Sequence, residues 1–169
     1  RHLLINKYSN HQEKNVKQLG QGFYWQDLQV GDTYKSWGRT VLEADICAFV
    51  NLIGLHEVVF SDREFLREKS VIKEPFAPGA LVYSFAEGLL LPTMQGTGMA
   101  FLNMELDMKR PCLAGDTIHV ELEVTEVRET SKGNRGLVRT FNKVVNQNGD
   151  IVLTYNPLRM LKGRPTDEQ

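Results

Sequence analysis

The sequence predicts an α+β domain in which an antiparallel β-sheet wraps around a long apolar central helix, with short helices beside it. Residues 79–91 are apolar on nearly every side of a helix, which indicates a buried helix. After Gly96 the hydrophobic pattern changes from a helical period to alternation, which indicates strands. A chain of 169 residues with 41% hydrophobic side chains can bury a core of its own, so one domain is expected.

The domain is expected to cover residues 21–163. Residues 1–20 are polar and show no sustained period, so we interpret them as an N-terminal arm or tail. Residues 164–169 are interpreted as a frayed C-terminal tail. The first element is a short strand predicted over residues 33–39, directly after the turn at Gly31.

Helices follow this strand. Over residues 44–53 apolar side chains recur at i, i+3, i+4 and i+7, which predicts a helix that Gly54 ends. Ser61 and Glu64 have the spacing of a capping box, which predicts a short helix reaching about residue 69. The apolar central helix comes next, and Pro92 is expected to end it.

Four antiparallel strands are predicted in the C-terminal half, over residues 100–108, 118–124, 137–145 and 151–160. Asn148-Gly149, between the last two, is typical of a type I′ hairpin turn. A single sheet of this kind leaves the backbone groups of an edge strand unpaired and leaves one of its faces uncovered. We therefore expect a homodimer or a higher homo-oligomer.

Composition argues against several classes of protein. Twenty Lys and Arg against 21 Asp and Glu give a net charge of −1, which does not support a nucleic-acid partner. Cys47 and Cys112 lie outside any CxxC pattern, so the sequence indicates no disulfide scaffold or cysteine zinc site and fits a cytoplasmic location. We expect no bound metal, because no His, Asp or Glu cluster has ligand spacing. No run reaches the roughly 18–20 apolar residues of a membrane span, so no membrane partner is expected.

Four short segments between residues 24 and 162 match the motifs of one known family in the same order. They are VGD at 30–32 with GRTV at 38–41 and EADI at 43–46, FAPGAL at 76–81, RP at 110–111 with GDT at 115–117, and GLV at 136–138. On these segments the chain resembles the MaoC-like, or R-specific enoyl-CoA hydratase, branch of the hotdog fold. The resemblance implies a single hotdog domain, acyl-thioester substrates that are usually acyl-CoA, no metal or redox cofactor, and homodimers or higher assemblies.

The family carries its chemistry in the loop after the first helix, typically as Gly-Asp-x-Asn-Pro-x-His. In the family that this chain resembles, the Asp and His of this motif hold a water molecule and move protons during hydration of an enoyl thioester. The corresponding loop here runs from Gly54 to Phe60, with Leu55 at the Asp position and Phe60 at the His position. Neither side chain can transfer a proton. The resemblance therefore supports the fold and leaves the usual catalytic pair absent.

Glu57 and His56 lie in the same loop and are the candidate replacements. A carboxylate beside the apolar side chains of Leu55, Val58 and Phe60 would be desolvated, which raises its pKa toward a useful acid–base range. Glu57 would then bind water, alone or together with His56. The alternative is that both are ordinary loop residues.

Gly79 and Ala80 open the central helix and are the candidate binding site for the thioester. N–H groups in a first helical turn have no helical partner, and the helix dipole adds positive charge there. A thioester oxygen could bind these N–H groups as in an oxyanion hole, because Gly79 allows the close approach. The alternative is that Gly79 only ends a loop containing prolines.

Two further sets of residues bear on function. Hotdog thioesterases often place a carboxylate on the central helix, so Glu87 is a candidate for that chemistry, unless it only reaches solvent or a partner subunit. Candidate partners for the phosphates of CoA lie near the predicted hairpin and strand corner: Lys109, Arg110, Lys132, Arg135 and Arg139.

The sequence thus predicts a MaoC-like acyl-CoA hydratase or dehydratase homologue, a hydro-lyase acting on an enoyl- or 3-hydroxyacyl-thioester. Leu55 and Phe60 would line the substrate pocket, with Glu57 and His56 as catalytic residues and Gly79 and Ala80 binding the carbonyl oxygen. Two alternatives stay open: a non-catalytic subunit that binds acyl thioesters, and an acyl-CoA thioesterase.

Overall fold

The computed structural model describes residues 18–166, so most of the predicted arm and residues 167–169 lie outside the described residues. The strands are β1 (Thr33–Lys35), β2 (Arg39–Thr40), β3 (Gly98–Asn103), β4 (Leu106–Met108), β5 (Thr117–Glu129), β6 (Arg135–Val145), β7 (Ile151–Tyr155) and β8 (Leu158–Lys162). The helices are a 3-10 turn (Trp25–Asp27), α1 (Glu43–Ile53), α2 (Val58–Ser61), α3 (Arg63–Glu68), α4 (Gly79–Leu89) and α5 (Leu91–Met94).

All eight strands belong to one antiparallel sheet. β5 pairs with β1 and β2 on one side and with β6 on the other. β6 pairs with β8 through residues 135–139 and with β7 through residues 142–145. β3 lies beside β8, and β4 lies beside β7, so β3 and β4 together form one edge of the sheet.

The core lies between α4 and the inner face of the sheet. Leu81, Val82 and Ala86 of α4 are buried against alternate residues of β5, because side chains two apart on a strand share a face. The apolar positions of β5 are Ile118, Val120, Leu122 and Val124. The predicted strand alternation is therefore confirmed, and it places α4 against the centre of the sheet.

The central helix differs from its prediction in length and surroundings. α4 has 11 residues and ends at Leu89, and Pro92 lies in the first turn of α5 instead of ending α4. One stripe of α4, formed by Ala80, Ser84 and Gly88, is exposed in the single chain. The apolar pattern therefore predicted the helix, but in the single chain burial covers only the side that faces the sheet.

Strand ends and turns account for the other differences. The predicted strand 100–108 is divided at Met104-Glu105 into β3 and β4, and the predicted strand 151–160 is divided at Asn156-Pro157 into β7 and β8. Proline cannot donate a ladder hydrogen bond, which explains the second division.

The predicted type I′ turn at residues 148–149 is wrong. That turn needs two residues with positive φ, and Gly149 (φ 83°) is the only residue of this turn with one. Asn146 instead closes the turn, because its Oδ1 accepts hydrogen bonds from the N–H groups of Asn148 and Asp150, both at 3.0 Å.

Two helix boundaries test the capping predictions. Gly54 ends α1 in the left-handed conformation (φ 70°), as predicted. The N-cap of α3 is Asp62 and not Ser61, because the Asp62 carboxylate accepts hydrogen bonds from the N–H groups of Glu64 and Phe65, at 2.9 and 3.0 Å. Among the described helices, none is both long and apolar enough to cross a membrane.

Candidate active site

The start of α4 is fixed by a short ladder with the corner between β4 and β5. Phe76 forms a β-bridge with Leu113, and the Ala77 N–H donates to the Cys112 carbonyl at 2.8 Å. The corner is itself held by buried Asp116, whose carboxylate accepts the Leu113 N–H at 2.8 Å. The first turn of α4 therefore begins at a rigid position.

The first N–H groups of α4 are available to a ligand. The Leu81 and Val82 N–H groups donate to the Pro78 carbonyl, at 2.9 and 3.2 Å. Within the described part of the chain, the N–H groups of Gly79 and Ala80 donate to no acceptor. Gly79 is half-buried and Ala80 is exposed, so a carbonyl oxygen can reach this turn.

The absence of a side chain at Gly79 has a packing reason. A Cβ atom built there would lie 2.8 Å from Sδ and 3.1 Å from Cε of Met108, on β4. Met108 therefore lies directly against the helix start, and its side chain is 47% exposed at the sheet edge. The start of α4 and the edge strand form one continuous surface.

The loop after α1 approaches the same region through an aromatic contact. Phe60 packs its ring 5.2 Å from that of Phe76, three residues before Gly79. Leu55, in the same loop, is half-buried. Phe60 thus serves as an apolar contact that holds α2 beside the segment leading to α4.

Glu57 and His56 do not have the environment expected of them. Both side chains are exposed in the single chain, so the predicted desolvation of Glu57 is not found there. Glu57 is the N-cap residue of α2, and its side chain makes no capping hydrogen bond. The carboxylate is free to contact a ligand or a second subunit.

Arg39 links the first turn of α1 to α4. Its guanidinium carbon lies 3.6 Å from the centre of the Phe85 ring, a cation–π distance, and Nη2 lies 3.5 Å from the Asp45 carboxylate. Arg39 appears in the family motif, but its contact with Phe85 joins residues far apart in sequence. Sequence reasoning therefore missed this role.

Glu87 is engaged by an arginine that the sequence analysis did not single out. Arg159 Nη2, on β8, donates to both carboxylate oxygens of Glu87, at 2.6 and 2.8 Å. The side chains are 23% and 14% exposed, for Glu87 and Arg159 respectively. The signal available in the sequence was that Arg159 alternates in phase with buried Leu161.

Most of the candidate phosphate partners are held by protein groups. Lys109 pairs with Asp107 at 3.3 Å, and Arg110 pairs with Asp150 at 3.2 Å. Arg139 donates to the Asn103 side chain and the Asn156 carbonyl, and Arg135 donates to the Lys132 carbonyl. These contacts are mostly exposed, so they leave the charges able to exchange partners.

Burial raises the pKa of Cys112 and of Tyr155. Burial, with a smaller contribution from Asp116, raises the pKa of the Cys112 thiol to about 12, so it stays protonated. Burial raises the pKa of Tyr155 well above its usual value, and the negative charge of Glu87 adds to the effect. In the part of the chain that the structure describes, no three His, Cys, Asp or Glu side chains gather in a way that could hold a metal ion.

Comparisons with known proteins agree on one family. The sequence model described as "FAS1-like, dehydratase domain region" matches residues 28–155. The (R)-specific enoyl-CoA hydratase of Aeromonas caviae is 26% identical over 129 residues, which are 76% of this chain and 92% of that protein. The mesaconyl-CoA hydratase of Cereibacter sphaeroides is 27% identical over 86% of this chain, which spans 43% of that protein.

Solved structures support the same assignment. The monoamine oxidase regulatory protein of Archaeoglobus has a TM-score of 0.76 at 30% identity, covering 86% of this chain and 97% of that one. A MaoC-like dehydratase of Rhodospirillum rubrum has a TM-score of 0.75 at 25% identity, covering 86% and 100%. A Mycobacterium tuberculosis protein with a double hotdog fold (TM-score 0.77, 21% identity, 90% and 48% covered) shows the fold.

Proposed function

Because this chain belongs to the FAS1-like dehydratase family of MaoC-like proteins, we propose that it is an acyl-CoA hydratase or dehydratase. It would add water to an enoyl thioester, or remove it from a 3-hydroxyacyl thioester, without a metal or redox cofactor. The observation that carries the proposal is the first turn of α4. Its two N–H groups have no acceptor among the described residues, and it lies beside the loop where the family places its chemistry.

The N–H groups of Gly79 and Ala80 supply the electrophilic half of the reaction. A thioester oxygen that accepts these hydrogen bonds gains negative charge, and the β-carbon of an enoyl group becomes more electrophilic. Leu55 and Phe60 line the approach with apolar surface. This surface excludes water other than the reacting molecule and strengthens the hydrogen bonds.

Glu57 supplies the proton transfers in this proposal. Its carboxylate removes a proton from water as the oxygen attacks the β-carbon, and the proton is then delivered to the α-carbon. Dehydration runs through the same steps in reverse. The exposed position of Glu57 in the single chain leaves it free to be covered by substrate or by a second subunit, either of which would raise its basicity. His56 is the adjacent second candidate for holding the water.

A second function is favoured by one specific observation. Phe60 is packed against Phe76, so the family's histidine position is committed to an apolar contact. A subunit that binds acyl thioesters without converting them would need the α4 N–H groups and this apolar wall alone. The thioesterase alternative has no comparable support, because Arg159 already holds both oxygens of Glu87.

The two functions are separated by a panel of crotonyl-, 3-hydroxybutanoyl- and butanoyl-CoA, scored for hydration, dehydration and hydrolysis. We expect hydration and dehydration, and Glu57→Gln should lower turnover by about 10²–10⁴-fold with an unchanged melting temperature. Glu68→Gln removes an exposed carboxylate from α3 and should leave turnover unchanged. Undiminished turnover in Glu57→Gln rejects its role. Binding of all three thioesters without turnover favours the non-catalytic subunit.

A further inference from the structure

We propose that the ion pair of Glu87 and Arg159 ends the acyl pocket and restricts this protein to thioesters of short acyl groups. The inference rests on the proposed function, because it assumes a thioester bound at Gly79 with its acyl chain running along α4. It concerns a feature that lies well away from the reacting atoms.

The position of the pair follows from helix geometry. Glu87 is eight residues after Gly79, which corresponds to about 12 Å along α4 at a rise of about 1.5 Å per residue. Ala80, Ser84 and Glu87 have the i, i+4, i+7 spacing of one helix face. An acyl chain that starts at the Ala80 N–H and follows this face therefore reaches the Glu87 carboxylate.

The charges make this place unsuitable for an alkyl chain. Both charged groups are mostly buried, and the two hydrogen bonds from Nη2 of Arg159 keep the Glu87 carboxylate satisfied. A methyl terminus pressed against the pair would either separate the charges or remove their remaining water. Separation of a buried pair leaves an uncompensated charge, which is strongly unfavourable.

The interior behind the pair is also polar. Asn142 and Tyr155 lie opposite each other on β6 and β7, and both are almost completely buried (0% and 1% exposed). Within the described residues the Asn142 amide and the Tyr155 hydroxyl have no hydrogen-bond partner of good geometry. Buried polar groups of this kind favour water over an alkyl chain.

Arg159 also lines a small, mostly apolar cavity. Its volume is about 40 Å³, and its walls include Leu90, Val138, Leu161 and Arg159 itself. Arg159 is therefore common to the wall of this cavity and to the ion pair with Glu87 on α4. Replacement of both charged side chains by apolar ones would join this cavity to the acyl pocket and lengthen the pocket.

The test measures binding of butanoyl-, octanoyl- and dodecanoyl-CoA by calorimetry. An open apolar pocket would raise affinity about fourfold for each added methylene group. The wild-type chain should instead bind dodecanoyl-CoA at least tenfold more weakly than butanoyl-CoA. In Glu87→Met/Arg159→Met, dodecanoyl-CoA should bind at least tenfold more tightly than to the wild type. Replacement of a buried ion pair by apolar residues of similar size is often tolerated by the fold.

Two controls make the outcome specific. Lys35→Met/Glu121→Gln removes an exposed ion pair elsewhere on the sheet. This variant should keep the wild-type order of affinities for the three thioesters. Glu87→Asp/Arg159→Lys retains both charges and should keep it too. The inference is overturned if wild-type affinity rises with chain length, or if the folded Met variant keeps the wild-type order. Failure of all three thioesters to bind the wild type would contradict the proposed function instead.

Discussion

At the scale of single residues, the proposed thioester site depends on Gly79, where the start of α4 meets Met108. Its missing side chain makes room for Met108 on one side and leaves the N–H group half-exposed on the other. The first N–H groups of a helix bind an oxygen only if it can approach the backbone closely. The packing of Met108 and the proposed binding of an oxygen therefore both require that position 79 has no side chain.

We expect Gly79→Ala to fold normally and to bind acyl thioesters about 10–100-fold more weakly. The new Cβ atom would meet the flexible end of Met108, which can move, so the melting temperature should change little. Displacement of Met108 toward the ligand, by contrast, misplaces the substrate, and misplacement of about 1 Å can cost a factor of about 10². Thermal unfolding and calorimetry with butanoyl-CoA measure the two effects.

Gly88→Ala is the matched control for this variant. Gly88 lies on the same helix, and a Cβ atom there meets nothing within 4 Å. Alanine should stabilise the helix by roughly 0.5–1 kcal/mol through backbone entropy, with unchanged binding. Wild-type affinity in Gly79→Ala would show that the first turn of α4 is not the thioester site.

Single residues also show where sequence reasoning reached its limit at the site. The loop of Leu55, His56, Glu57 and Phe60 was recognisable because its residues are contiguous. The contacts of Arg39 with Phe85 and of Arg159 with Glu87 join residues 46 and 72 positions apart, from α4 to strands on either side of it. No local pattern encodes such pairs, since they depend on which strands flank the helix.

At the scale of elements, local signals in the sequence predicted whether a segment is a helix or a strand better than they predicted the residues at which it begins and ends. The amphipathic spacing over residues 44–53 predicted α1, and Gly54 marked its end. The division of the last predicted strand into β7 and β8 had a local signal in Pro157, which cannot donate a ladder hydrogen bond, but the apolar residues on both sides favoured one continuous strand. The N-cap of α3 was placed one residue early, because Ser61 and Asp62 are both good capping residues and tertiary packing decides between them.

The Asp62 cap predicts the stability of the segment that follows the candidate loop. Asp62→Ala removes the acceptor of two backbone N–H groups at the start of α3 and should lower the free energy of unfolding by about 1 kcal/mol. Asp62→Asn keeps an acceptor oxygen, so its loss of unfolding free energy should be less than half of the loss in Asp62→Ala. Urea unfolding measures both. Equal stability of the Ala variant and the wild type would mean that packing of buried Leu66 alone holds α3.

At the scale of the whole molecule, the free edge of the sheet lies beside the candidate site. Among the described strands, β3 pairs only with β8 and β4 only with β7, so both present unpaired backbone groups on their outer side. The side chains of β3 are exposed, including Met99 and Leu102, and Met108 of β4 contacts Gly79. An apolar strand edge of this kind favours pairing with a second copy of the chain.

A dimer through this edge would cover the start of α4 at the same time. Because Met108 lies between the strand edge and Gly79, a partner strand laid along β4 would exclude water from the thioester site. It would also cover Ala80, which is exposed in the first turn of α4.

Substitutions at the sheet edge test whether this edge is a dimer interface. We expect the wild-type chain to have twice its monomer mass by light scattering at micromolar concentration. Leu102→Lys places a charge on the exposed edge strand, which opposes strand pairing, and should give a monomer with at least tenfold weaker binding of butanoyl-CoA. Phe141→Lys places the same charge on an exposed aromatic position of β6 and should leave both the dimer and the binding intact. A wild-type monomer, or a Leu102→Lys dimer with full affinity, would mean that this edge is not the interface and that the site at Gly79 is complete within one chain.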